Sequence, residues 1–254
     1  LASHINVIRT IIVRDILNKH GQGELGYVGM ILEPLVWIAS IDLAWHLKGH
    51  SVKDGISLES FLISGLAAYF LFYAHVLATV SSSVTNNTNL FYFRRVTPLV
   101  LIVASFLREF LTSIVVYVTV IGGLSLYENN LQLADPLKLL VVLAGISLLA
   151  AIGGVLFGLG QLVIPWLRLV QLVYIRMMFI FSGGFFFAND LPPQIAYYAS
   201  FNPLLDLIEF LRESFYAQYQ SHYATWGYPF SFIAVGIVLI LVLERTTRRY
   251  LATA

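Results

Sequence analysis

The chain has 254 residues, 58% of them hydrophobic and only 11% charged, with no cysteine. A soluble domain carries about 25% charged residues, so this chain has too few to coat a water-facing surface. With a mean hydropathy of +0.80, disordered, collagen-like, coiled-coil and basic nucleic-acid-binding classes are excluded, as are disulfide frameworks, thiol nucleophiles and iron–sulfur sites.

The composition describes a polytopic membrane protein, and the elements follow in order. Residues 1–25 separate Ile5, Ile8, Ile12 and Ile16 from Arg9, Arg14, Asp15 and Lys19. That is an amphipathic interfacial helix and not a signal peptide, because charges interrupt the apolar run. A spanning helix needs about 20 mostly apolar residues. Six stretches qualify: residues 30–47, 58–80, 98–126, 136–163, 165–188 and 228–243. Between the last two lies 189–227, too apolar for a plain loop and broken by Pro192, Pro193 and Pro203. There Asn202 is a good N-cap and Pro203 fits the first helical position. The run 204–219 that follows is amphipathic, with Glu209, Arg212 and Glu213 on one face. It is charged and barely long enough to cross, so a re-entrant or interfacial hairpin fits better than two further spans.

The expected fold is one all-α integral membrane domain with six transmembrane helices. Residues 1–25 form the interfacial helix and 26–188 hold spans one to five. Residues 189–227 form the outer re-entrant hairpin, and 228–254 form span six and a tail. Basic residues in short loops set orientation. With the N-terminus inside, eleven of the 15 Lys and Arg residues, including Arg94, Arg95, Arg168, Arg176 and Arg245, fall on or nearest the inner side. Both termini are then cytoplasmic.

Span four carries Ala150, Gly154 and Gly158 at four-residue spacing. Small residues so placed let backbones approach closely in lipid, either within the chain or at a dimer seam. A search for chemistry returns little. The chain lacks the G-x-x-x-x-G-K-[ST], H-E-x-x-H and G-x-S-x-G motifs, and its six histidines are scattered. No catalytic or metal-ligating set is expected.

Ionisable residues within spans are costly in hydrocarbon and therefore candidates. Asp42 lies ~13 Å into span one, with His46 one turn on. The two satisfy each other or line a wet path. Arg176 lies ~16 Å into span five, two turns after Arg168. The pair could attract an anionic substrate, or Arg176 could be buried against Glu109. Arg108 and Glu109 themselves read as a structural pair. Among the 36 aromatic residues, Trp37, Phe70, Tyr73 and the 185–187 and 197–201 clusters lie mid-span or outward. Aromatic faces backed by hydroxyls suit sliding contact with sugar rings, and core packing is the alternative for each.

Four motifs then converge: Leu25-Gly26-Tyr27 with Ile31-Leu32-Glu33-Pro34; Leu90-Phe91-Tyr92-Phe93-Arg94-Arg95-Val96-Thr97-Pro98 between spans two and three; Phe201-Asn202-Pro203-Leu204; and Glu209-Phe210-Leu211-Arg212-Glu213. In this order the chain resembles, over nearly its whole length, the permease subunit of ABC-2-type polysaccharide and polyol-phosphate exporters. The likeness is to the capsular-polysaccharide (KpsM-type) branch. It departs at Arg95 and Thr97, where such members often carry proline and lysine.

The resemblance implies a homodimer that docks two copies of a separate ABC ATPase subunit and exports lipid-linked glycan across the bacterial inner membrane. This chain would bind no cofactor of its own, with ATP and Mg held by the ATPase. Leu90, Phe91, Tyr92, Phe93, Arg94 and Arg95 match the coupling segment, and residues 192–220 match the outer re-entrant helices. Trp37, Asp42, Phe70, Tyr73, Arg168, Arg176 and Phe185 are candidates for the substrate path, and Asn202, Pro203, Glu209, Arg212 and Glu213 for the outer hairpin. There is room for a periplasmic co-polymerase-type export protein, and no nucleic-acid partner is implied. O-antigen or teichoic-acid exporters share this architecture. An intramembrane enzyme using Asp42, His46 or His75, or a scaffold without transport, are the readings from other classes.

Overall fold

The computed structural model describes residues 58–86, 98–127 and 133–253, with eleven separate positions between 32 and 47 that are all helical. The elements are α1 (Leu58–Leu62), two π-helical runs (Ile63–Ala67 and Tyr69–Ala74), α2 (His75–Thr85), α3 (Pro98–Tyr127), α4 (Pro136–Val163), α5 (Leu167–Phe181), a 3₁₀ turn (Ala188–Asp190), α6 (Pro193–Ala199), α7 (Pro203–Phe215) and α8 (Gly227–Thr253). No strand occurs among the described residues. Among the described residues three helices are long and apolar enough to cross a membrane: Ser60–Thr85, Leu99–Gly123 and Pro136–Val163. Shorter apolar helices run over Leu35–Trp45 and Gly227–Leu243.

α4 is the axis of the molecule. Asp135 caps it by accepting from the Lys138 N–H at 3.0 Å, Pro136 fits the first turn, and Pro165 follows its end. Its most extensive packing is on α2, and α7 and α8 lie against other faces. The small-residue stripe serves the α2 contact. A Cβ on Gly154 would lie 2.7 Å from the Leu77 carbonyl oxygen, and one on Gly158 would lie 3.0 Å from that of Ser81. Intrachain packing is therefore the outcome for this stripe, and the seam reading does not hold for it.

The span before α2 departs from regular α geometry. Two carbonyls of its π-helical runs accept from α3: Ser113 Oγ donates to the Leu71 oxygen at 2.9 Å and the Tyr117 hydroxyl donates to that of Ser64 at 3.4 Å.

The span expected over 165–188 is shorter than its apolar composition suggests. α5 stops at Phe181, making it about 22 Å long at 1.5 Å per residue. Gly183 turns the chain at φ 82°, where a Cβ would sit 2.4 Å from Leu205 Cδ1. Only glycine meets both demands. The outward faces of α3, α5 and α8 stay apolar and exposed, as at Leu111, Val115, Leu169, Val173, Val235 and Val238. Surface of that kind suits hydrocarbon or a second subunit.

Candidate translocation surface and outer hairpin

One cation ties the turn after α5 to α7. Arg212 and Glu209, three residues apart on α7, are both 0% exposed and meet at 3.0 Å. The guanidinium also donates to the Phe186 carbonyl at 2.6 Å, to that of Gly183 at 2.6 Å and to that of Gly184 at 3.2 Å. Phe61 and Phe187 lie 4.2 and 4.8 Å from it by their ring centres. Glu209 accepts in addition from the Ala188 N–H at 3.3 Å and from the Tyr219 hydroxyl. Burial presses the Arg212 pKa below its ordinary value, and Glu209 opposes that shift. Burial, and then Glu209, raise Tyr219, which keeps its donated proton.

Glu209 and Arg212 of α7 thus point inward to the irregular 183–188 backbone. The face that Glu209 shares with Arg212 is therefore buried. Asn202 caps α7, accepting from the Leu204 N–H at 3.1 Å, and its amide donates to the Phe181 carbonyl at 2.8 Å. Pro203 takes the first helical turn. Glu213 pairs with Lys138 and accepts from the Ser221 N–H at 2.8 Å. The ammonium lies 5.5 Å from the Phe210 ring and 5.6 Å from that of Trp226. Asp206, 2% exposed, accepts from the Thr225 N–H at 3.2 Å. Burial drives its carboxyl up to about 6, with that N–H lowering it and Glu209 adding to the rise.

The aromatic candidates assemble around a residue that sequence reasoning missed. Phe179 lies 5.6 Å from Trp37, 5.1 Å from Phe70 and 4.7 Å from Phe185, ring centre to ring centre. Tyr69 joins at 5.3 Å and donates to the Ile175 carbonyl. Tyr73, 5.6 Å from Tyr69, shares a 2.7 Å hydrogen bond with the Tyr174 hydroxyl. The inward stripe of α5, residues 171, 174, 175, 178 and 179, holds helical spacing. That spacing is the signal that could have singled out Tyr174 and Phe179.

Beyond the tyrosine pair opens a cavity of about 600 Å³ walled by Tyr73, Tyr174, Phe181, Phe186, Tyr198 and Phe232, with Asn202 at its edge. Tyr197, Tyr198 and Phe201 stand exposed beside it, with ring centres 5.3 Å apart for Tyr197 and Phe201. Such a surface can stack on rings and offer hydroxyls without a fixed charge, which suits a ligand that must move on.

Arg168 and Arg176 do not join this site. Both are exposed, so the buried Arg176–Glu109 pair is ruled out, and Glu109 lies 3.8 Å from Arg108 instead. Asp42, the interfacial helix and the segment Leu90, Phe91, Tyr92, Phe93, Arg94 and Arg95 lie outside the described residues.

These features are those of a helical membrane permease domain with a locked hairpin, and comparison with known proteins agrees. The chain belongs to the ABC-2 type transporter family, whose model matches residues 6–216. It is 28% identical to the polysialic acid transport protein KpsM of Escherichia coli, the alignment covering 97% of this chain and 95% of that one. It is 23% identical to the capsule polysaccharide export inner-membrane protein CtrC of Neisseria meningitidis serogroup B (95% and 89%). With the capsule polysaccharide export inner-membrane protein BexB of Haemophilus influenzae the identity is 20% (94% and 92%).

Proposed function

We propose that this chain is the transmembrane permease subunit of an ABC transporter that exports lipid-linked capsular polysaccharide across the bacterial inner membrane. ATP is hydrolysed on a separate subunit. The observation that carries the reading is end-to-end likeness to capsule-export membrane proteins in a chain without a phosphate-binding loop. The aromatic cavity supports it, because stacking tolerates movement along a polymer.

In this reading two copies pair, six spans leave both termini cytoplasmic, and Leu90–Arg95 engages the ATPase. That segment follows α2 directly. α2 is held to α4 by backbone contact at Gly154 and Gly158, so displacement of the segment moves α2 and α4 together. Tyr73, just before α2, and Leu149 of α4 both line the cavity, so its walls shift with them. The hairpin moves as one body, since the Arg212 contacts tie α7 to the turn after α5. Contacts along the path must each be weak, or the polymer could not leave.

The test is a mild-detergent purification of the tagged chain from native membranes, with partners identified by mass spectrometry. A stoichiometric ABC ATPase, lost when residues 91–95 are replaced by alanine, is the expected result. Recovery without an ATPase, where other ABC complexes survive the same detergent, overturns the reading.

A further inference from the structure

A second cavity, of about 540 Å³, lies at the opposite end of α5, between that helix and the ends of α2 and α4. Its walls are unlike those of the aromatic cavity. Ser82, Thr85 and Asn86 of the α2 end, Gln161 of α4, and Gln171 and Arg168 of α5 line it. The one formal charge among the described lining residues is Arg168, which is exposed and forms no ion pair among the described residues. It stands in the first turn of α5, where the helix dipole disfavours a cation and favours an anion.

The polar side chains are organised and incompletely satisfied. Gln171 is 7% exposed, and its oxygen accepts from Ser81 Oγ at 2.9 Å and from Gln161 Nε2 at 2.5 Å. Its own amide nitrogen donates to nothing among the described residues. That nitrogen is not sealed off but opens to the cavity, where a bound acceptor can meet it. Leu172 forms an apolar lip that is 53% exposed, and Leu169 and Val173 continue that face along α5.

We infer that this cavity is a binding site for the phosphate-bearing, hydroxylated headgroup of a lipid. The phosphate would lie between Arg168 and the Gln171 amide, and the headgroup hydroxyls would meet Ser82, Thr85 and Asn86. The acyl chains would run over Leu169, Leu172 and Val173. A cavity of this size takes a glycerophosphate or sugar-phosphate group. Two sources share this chemistry: a phospholipid of the bilayer, and the lipid end of the exported glycan. The inference rests on the exporter reading for its membrane placement.

The test uses the purified permease–ATPase complex, titrated with phosphatidylglycerol and, separately, with phosphatidylcholine, and counts retained lipid by native mass spectrometry. Wild type is expected to hold one phosphatidylglycerol per permease chain in preference to phosphatidylcholine. R168Q should weaken this by about tenfold, the scale of one lost hydrogen bond to a charged group, and R168K should restore part of it. Because Arg168 is exposed, R168Q should fold, and an unchanged unfolding temperature confirms that it has. Equal retention of the two lipids by wild type, or unchanged selectivity in R168Q, overturns the site.

Glycan export in cells separates the sources, and either result supports the site. If the lipid end of the glycan occupies the pocket, R168Q lowers export at normal membrane composition. If bilayer lipid occupies it, lowering phosphatidylglycerol impairs wild type and leaves R168Q insensitive. Failure of the exporter reading is visible apart from all of this, as absence of the ATPase from the wild-type preparation.

Discussion

Arg212 and Glu209 form a 3.0 Å ion pair with neither side chain reaching solvent, and the pair's further bonds go mainly to backbone of the 183–188 segment. Its role follows from what it replaces. Residues 182–187 have no helical ladder of their own, so their buried carbonyls need donors, and one planar guanidinium supplies three of them. Lysine cannot reproduce that fork.

Removing one member should therefore cost far more than removing both. R212M leaves Glu209 buried and the carbonyls unmet, and a loss of about 3–5 kcal/mol in stability is expected. The double variant R212M/E209Q should recover part of it, since the stranded charge is gone. Thermal unfolding in detergent, followed by tryptophan fluorescence, reads both. Equal losses in the single and double variants would show that R212M strands no costly charge on Glu209.

The glycines of α4 should be sharply unequal to those of α3. Gly154→Ala pushes a methyl toward the Leu77 carbonyl at 2.7 Å and Val80 Cβ at 2.9 Å, so a loss of about 1–3 kcal/mol is expected from overpacking. Gly122→Ala meets nothing within 4 Å and should be neutral or slightly stabilising, because alanine is the better helix former. Expression level and unfolding temperature of the two variants, measured side by side, check this. A neutral Gly154→Ala would mean that α2 and α4 are less closely packed.

How much of this could be read in advance differs by element. α4 is legible to the residue, because Asp135-Pro136 opens and Pro165 closes an unbroken apolar run. The end of α5 is not, since Ser182 and the glycines after it sit inside an equally apolar stretch. The turn there is held by α7, where Arg212 takes the Gly183 and Gly184 carbonyls and Leu205 lies against Gly183. Spacing puts Glu209, Arg212 and Glu213 on one face correctly, but periodicity cannot tell a solvated face from one turned onto orphaned carbonyls. The aromatic candidates Trp37, Phe70 and Phe185 are legible as a class. Their meeting point, Phe179, is fixed by tertiary packing. The π register of 63–74 leaves no mark in the hydrophobic pattern.

Asp206 gives the hairpin a pH dependence with an unusual sign. Its folded carboxyl is pushed up to about 6, from an ordinary value of 3.8, mainly by burial. The folded state therefore holds a proton that the unfolded chain releases between those values, and stability falls as pH rises from about 4 through about 6. Asp206→Asn keeps the shape and removes the titration. Wild type should gain several degrees in unfolding temperature between pH 7.5 and pH 5 relative to this variant. Parallel pH profiles for the two proteins would count against the raised carboxyl.

The exposed aromatic residues beside the outer cavity should tune export without holding the fold. Tyr198 and Phe201 are 73% and 57% exposed, so Tyr198→Ala and Phe201→Ala remove little buried surface. Unfolding temperature should move by no more than about 2 °C, in keeping with the small effect of surface substitutions. A stacking contact with a sugar ring is one of many along a path, so each variant should lower glycan export by a few fold, and the double variant by about the product. The measurement is surface glycan per cell at matched permease abundance, with ATPase co-purification confirming assembly. All-or-none loss from one residue would instead indicate a single indispensable group, as in an enzyme. Undiminished export in the double variant would place the glycan's route elsewhere on the molecule.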